Sequence, residues 1–197
     1  MTHRYFIFHF QKSLQASAYI LRLAGGRMWY VDLLKMLYIA DRECLEEEGD
    51  TITGDSMSAL KRGPVLCTVL NLIKKKDSQW EQWHRFIGTH FDKNTERQEV
   101  FLKKKSAGDD ELCRFEKDIL HRIFEKHNGE DLIAYTHSLP EWKKHEEALS
   151  DPIKKNSYPI TIEDILEGIG KPELVTVVDR NIAEQKLQSK WFGAVVK

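Results

Sequence analysis

The feature that most constrains the fold is one aspartate inside an apolar helical pattern. Residues 30–48 repeat apolar side chains at the spacing of an amphipathic helix, and Gly49 follows at a position that favours a left-handed C-cap. On a helical wheel Asp41 falls in the middle of the apolar arc, whereas Lys35 falls on the polar side. A buried carboxylate without partners costs several kcal/mol. The sequence therefore predicts that nearby residues donate hydrogen bonds to Asp41.

Two interpretations of Asp41 remain open. In the first, its carboxylate is a structural anchor that fastens the loop of residues 50–62 onto the helix. In the second, it lines a pocket and contacts a ligand or partner. We favour the anchor, because this loop is rich in donors. The candidate donors are the Thr53 hydroxyl, the Gly54 amide, Lys61 and Arg62.

The remaining patterns predict a mainly α fold, a compact helical domain with one small antiparallel β-hairpin. The hairpin is expected from alternating residues at 86–91 and 98–102, around the polar turn 92–95. Apolar periodicity, caps and proline positions predict helices over 12–24, 80–85, 108–128 and 131–137, and helices that begin at Pro64, Pro140, Thr161 and Pro172. We expect a single domain over residues 1–197 with a C-terminal helical extension over about 160–191.

The composition is that of a globular chain without a strong charge bias. Hydrophobic residues make up 41% of the 197 residues, and the formal net charge is −1, so a dedicated nucleic-acid binder is not expected. Three cysteines without a C-x-x-C pair indicate a reducing compartment and no zinc site. The N-terminus lacks a signal-peptide pattern, and no apolar run reaches the length of a membrane span. We expect a cytoplasmic protein with no membrane partner.

Catalytic patterns are weak in this chain. Asp41 and Asp55 could form a paired-carboxylate site, and His137 could act as a base. The sequence nevertheless lacks the H-E-x-x-H, G-x-S-x-G and P-loop spacings. A histidine that holds the turn after it is the favoured interpretation of His137. We therefore expect no enzyme activity, no cofactor and no metal.

Four short motifs carry a family resemblance. They are K-M-L-Y-I-A-D at 35–41, I-T-G-D at 52–55, G-P-V at 63–65 and T-H-S-L-P-E-W-K at 136–143. In this order and spacing the chain resembles the Panacea domain, the SocA-like antitoxin family, which is often associated with prophages. The likeness extends over about residues 14–146. The motif residues, which we expect to be structural, are Lys35, Leu37, Tyr38, Asp41, Thr53, Gly54, Asp55, Gly63, Pro64, His137 and Trp142.

The resemblance implies an antitoxin of a two-gene toxin–antitoxin system. Such a protein neutralises its cognate toxin by direct protein–protein binding. Two alternatives stay open: a proteolytic adaptor that delivers a toxin to a protease, and a regulatory module associated with DNA. Direct binding to nucleic acid is not expected from the charge.

Exposed aromatic and acidic residues are the candidates for partner binding. Tryptophans are common in interface hot spots, although partial core packing is the favoured interpretation of them. The acidic end of the helix over 30–48 could steer a basic partner, although a solvated helix end is the favoured interpretation. The candidates are Trp80, Trp83, Trp191, Glu46 and Glu47.

Overall fold

The structure, a computed structural model, describes residues 4–193 and is mainly helical. Its helices are α1 (Phe10–Leu23), α2 (Tyr30–Glu48), α3 (Cys67–Ile73), α4 (Trp80–His84), α5 (Arg114–His127), α6 (Leu132–His137), α7 (Pro140–Ser150), α8 (Ile162–Gly168) and α9 (Val175–Gly193), and a 3₁₀ turn covers Pro172–Leu174. Its strands are β1 (Arg27–Trp29), β2 (Met57–Leu60), β3 (Gly63–Leu66), β4 (Ile87–Asp92), β5 (Arg97–Leu102) and β6 (Ser157–Ile160). The predicted class, mainly α with minor β, is confirmed.

Helix α2 is the central element, and it packs against α1, α5 and α6. It has the bounds that the apolar pattern predicted, and Gly49 ends it with a φ of 65°, in the left-handed region that glycine adopts readily. One detail of the helical wheel is wrong. Lys35 was placed on the polar side, but its side chain is fully buried, because β3 and α6 cover that side of the helix as well.

The β-hairpin predicted around residues 92–95 is present as β4 and β5, with Thr89 opposite Val100. A third strand, β1, pairs with the other side of β5 and places Met28 opposite Val100. The sheet order is therefore β1-β5-β4, antiparallel throughout. Three residues are too few for a periodic signal, and for that reason β1 was not predicted.

A second antiparallel sheet, ordered β3-β2-β6, corrects the prediction of a single hairpin. Pro64 was expected to begin a helix but lies in β3, opposite Ala59 of β2. Strand β3 is at the edge of this sheet, where a proline without an N–H is tolerated. The helix begins three residues later, at Cys67. Strand β6, which contains Pro159, pairs Tyr158 with Ala59 and was not predicted.

Caps set the start of the later helices. Helix α5 begins at Arg114 rather than near residue 108, because the Glu116 carboxylate accepts a hydrogen bond from the Cys113 amide at 2.8 Å. The segment just before α5 contacts α1 instead, since Gln15 of α1 donates to the Asp110 carboxylate at 2.8 Å. Thr161 caps α8 as predicted, with the Asp164 amide donating to its hydroxyl.

Candidate functional site

Asp41 binds the loop that follows α2. Its side chain is fully buried, and it accepts hydrogen bonds from the amides of Ile52 at 2.9 Å and Thr53 at 3.0 Å, and from the Thr53 hydroxyl. Burial raises the pKa of the Asp41 carboxyl to about 7, against the opposing effect of these hydrogen bonds. Of the four donors expected from the sequence, only the Thr53 hydroxyl is used. The other two hydrogen bonds to Asp41 come from the Ile52 and Thr53 amides.

The same loop leads from α2 to β2 and also binds the N-terminus of α3. The Thr53 hydroxyl accepts from the Asp55 amide at 3.1 Å. The Asp55 carboxylate in turn accepts from the amides of Thr68 and Val69, both at 2.9 Å, in the first turn of α3. A carboxylate satisfies orphan amides at a helix N-terminus and interacts favourably with the helix dipole. Asp41 and Asp55 thus accept hydrogen bonds from two different backbone segments, and the charge of Asp55 contributes to the raised pKa of Asp41.

Gly54 lets the N-terminal segment cross this loop. Its φ is 67°, and a Cβ built on it would lie 2.0 Å from the carbonyl oxygen of Ile7. The His9 amide donates to the Thr53 carbonyl at 2.9 Å and fixes the crossing. Glycine is required here by the conformation and by the close approach together.

Lys35 fastens β3 to α2 from inside the protein. Its amine donates to the Pro64 carbonyl at 2.6 Å. Burial lowers the pKa of Lys35 to about 7. Gly63 leaves room for this amine, because a Cβ at Gly63 would lie 2.6 Å from Lys35 Nζ and 2.8 Å from the Thr136 hydroxyl. Gly63 therefore provides the space, and Pro64 the hydrogen-bond acceptor, for the buried Lys35 amine.

Tyr38 and Arg42 join α2 to α7 through one carboxylate. Glu141 Oε1 accepts from the Tyr38 hydroxyl at 3.0 Å and from Arg42 Nε at 2.8 Å. The Glu141 side chain is fully buried, while 14% of the Arg42 side chain is exposed. Burial, with the charge of Glu141 beside it, raises the pKa of Tyr38 well above its usual value. Glu141 and Arg42 were not predicted as site residues, although the acid directly before Trp142 was the available signal.

His137 and Trp142 hold the end of α6 against β2. Their rings stack with centroids 3.7 Å apart and planes 6° from parallel. Trp142 Nε1 donates to the Leu60 carbonyl at 2.9 Å. Burial, with Lys35 nearby, lowers the pKa of His137. The His137 ring packs beside the motif residues, and its buried Nε2 has no hydrogen-bond partner within the described residues.

The partner-binding candidates lie in different environments. Trp83 is fully buried, with Phe10 in edge-to-face contact, so it belongs to the core and not to a binding surface. Trp80 is half-buried at the start of α4, whereas Trp191 near the end of α9 is 74% exposed. The two glutamates are used within the chain: Glu46 pairs with Lys171 at 3.3 Å, and Glu47 pairs with Arg122 of α5.

The motif residues form one connected interior. Leu37 is 1% exposed and packs in the core, and the polar residues around it bind three backbone segments and a neighbouring helix. Within residues 4–193 no cluster of three or more histidine, cysteine or acidic side chains is arranged to hold a metal ion. None of the helices among these residues has both the length and the hydropathy that a membrane span requires.

The fold and this interior define a mainly α protein whose central helix ties several loops together with buried polar side chains. The sequence matches the family described as antitoxin SocA-like, Panacea domain, over residues 33–143, and the chain belongs to that family. The matched range contains all four motifs. No curated protein and no solved structure is significantly similar to the chain.

Proposed function

We propose that this chain is an antitoxin that neutralises a separately encoded toxin by binding it directly. The observation that carries the proposal is the family match over residues 33–143. The cognate toxin is the proposed partner, and the site of action is the cytoplasm.

The contacts of the motif residues support a binding role over a catalytic one. The carboxylates of Asp41 and Asp55 accept from backbone amides, and Lys35 donates to a backbone carbonyl. Carboxylates that accept from backbone amides in this way stabilise a scaffold and are poorly placed to move protons on a substrate. We propose that no chemistry is needed, and that shape and charge complementarity supply the affinity.

Co-expression with the product of the adjacent open reading frame tests this function. The neighbour alone is expected to stop growth, and this chain is expected to restore growth and to co-purify with the neighbour. A chain truncated within α2 is the matched control, since it loses the central helix. A harmless neighbour, or two proteins that never associate, would contradict direct neutralisation.

Toxin turnover separates blocking from delivery to a protease. If the chain blocks its toxin, the half-life of the toxin is unchanged or longer when both are present. If the chain is an adaptor, the half-life becomes shorter and rescue is lost in cells that lack the protease. We expect the first outcome.

A further inference from the structure

A concave surface beside the motif interior has a distinctive chemistry. It lies between the start of α2, the turn from β2 to β3, and α3, with a volume of about 390 Å³. Its floor is apolar and its rim is basic. The floor residues are Val31, Leu34, Leu60, Val65 and Leu70, and the exposed rim cations are Lys61, Arg62 and Lys74. We call this surface the basic groove.

The positive charge of the basic groove is not balanced within the described part of the chain. No acidic side chain lines it, and none of residues 4–193 forms an ion pair with Lys61, Arg62 or Lys74. Some surface cations are paired, such as Arg122 with Glu43 at 2.9 Å and Lys171 with Glu46, whereas others, including Lys103 and Lys104, lie on the surface without an apolar concavity beside them. An unbalanced basic rim is notable in a chain of net charge −1, and it raises the local concentration of acidic groups.

The surface next to the basic groove adds aromatic and arginine side chains. Tyr30 and Arg62 line both the groove and a second concavity of about 590 Å³. The second concavity also contains Trp29 and Phe91, of which Phe91 is 57% exposed. Tyrosine, tryptophan and arginine dominate the binding energy of many protein interfaces. The two concavities meet at Tyr30 and Arg62, and Glu96 lines the second one, where its charge disfavours a phosphate backbone.

The motif interior holds the walls of the basic groove in place. Lys35, at its back, donates to the Pro64 carbonyl, and Trp142 donates to the Leu60 carbonyl. These two hydrogen bonds fix both strands that flank the Lys61–Arg62 turn. A pre-organised surface loses less conformational entropy on binding and gains affinity for that reason.

We propose that the basic groove receives an acidic segment of the toxin, with an apolar side chain seated on the floor and carboxylates on the rim. The proposal rests on the proposed antitoxin function and names the surface that performs it. The floor favours a peptide over nucleic acid, because its side chains are aliphatic and suit an aliphatic side chain, whereas bases stack on aromatic rings.

Charge reversal on the rim tests the proposal. The variant is Lys61→Glu with Arg62→Glu, and the control is Lys103→Glu with Lys104→Glu, which makes the same charge change at exposed lysines outside the groove. The Kd for the purified product of the adjacent open reading frame is measured at about 0.05 M and about 0.5 M NaCl. The rim variant is expected to bind at least tenfold more weakly than the control at low salt, with a smaller difference at high salt.

A floor variant and a DNA titration complete the experiment. Leu70→Gln keeps the charge and is expected to weaken binding severalfold at both salt concentrations, while thermal melts confirm that each variant is folded. Equal affinity of the rim variant and its control overturns the groove proposal and leaves direct neutralisation intact. Loss of duplex DNA binding in the rim variant, with toxin affinity unchanged, also overturns it. Failure of the unmodified chain to bind refutes the antitoxin function itself.

Discussion

Replacing Asp41 by alanine should unfold the connection between α2 and the loop after it. The change removes the acceptor of three hydrogen bonds, from the Ile52 amide, the Thr53 amide and the Thr53 hydroxyl. A buried donor left without a partner costs about 1–3 kcal/mol. Allowing the loop to relax partly toward water, we expect a loss of about 3–5 kcal/mol, because three donors are affected at once. For a chain of 197 residues this corresponds to a decrease in Tm of roughly 10 °C.

Asp41→Asn is the matched control for this prediction. The asparagine oxygen can accept from both amides, and its NH₂ group can donate to the Thr53 hydroxyl oxygen, so most of the hydrogen bonds survive. We expect its free energy of unfolding at pH 5 to lie within about 1 kcal/mol of that of the unmodified chain. Urea unfolding, followed by circular dichroism, measures both variants. An alanine variant as stable as the asparagine variant would refute the anchor interpretation.

The pH dependence of stability, compared between Asp41→Asn and the unmodified chain, gives a second, independent result. The folded pKa of Asp41, about 7, lies above the unfolded value of 3.8. The folded state therefore holds a proton that the unfolded state releases, and the associated stability is complete below pH 3.8 and is lost as the pH rises through about 7. The asparagine variant does not titrate at this position and therefore cannot lose this contribution to stability. Its stability relative to the unmodified chain should accordingly increase between pH 5 and pH 8, as measured by urea unfolding at each pH.

Three further predictions concern the other fastenings of α2 and its loop. Lys35→Met should flatten the rise in the free energy of unfolding between pH 7 and pH 10. The folded pKa of Lys35 is about 7 and the unfolded value is 10.5, so the contribution of Lys35 to stability is complete above pH 10.5 and is lost as the pH falls through 7. Urea unfolding of both proteins at pH 7 and pH 9.5 measures the difference. Gly54→Ala should cost about 2–4 kcal/mol in urea unfolding and increase hydrogen exchange at the His9 amide, because its Cβ would collide with the Ile7 carbonyl; an unchanged exchange rate contradicts this. Arg42→Met should destabilise the protein more than the double variant Arg42→Met with Glu141→Gln, because the single change leaves a buried carboxylate without its cation; a double-mutant cycle gives the coupling, expected at about 1–3 kcal/mol.

Periodicity predicted the helices well where one face of a helix is apolar over several turns. Helix α2 has the predicted bounds, and the stop at Gly49 follows from a left-handed residue that sequence alone can indicate. The position of Asp41 on the apolar arc also predicted correctly that the loop would approach it. These features are local, since they depend on residues close in the chain.

The features that were missed depend on residues far apart in the chain. Pro64 looked like the start of a helix, but it pairs with β2 at the edge of a sheet whose third strand, β6, comes about a hundred residues later. Lys35 looked exposed on the helical wheel, but β3 and α6 cover it. Glu141 meets Tyr38 across 103 positions of the sequence. No single-sequence pattern encodes such pairings, because they are decided by packing and not by local preference.

The buried lysine suggests why the motif interior and the exposed surface belong together. An amine in an apolar interior loses most of its hydration, and one hydrogen bond to the Pro64 carbonyl replaces only part of it. A leucine or methionine would pack there at lower cost, so stability alone does not account for the residue. Lys35 does something that an apolar side chain cannot, since it fixes the carbonyl two residues after the exposed Arg62. That hydrogen bond holds the turn that places Lys61 and Arg62 at the rim of the basic groove. We therefore expect Lys35→Met to cost more free energy in binding to the proposed toxin than in unfolding.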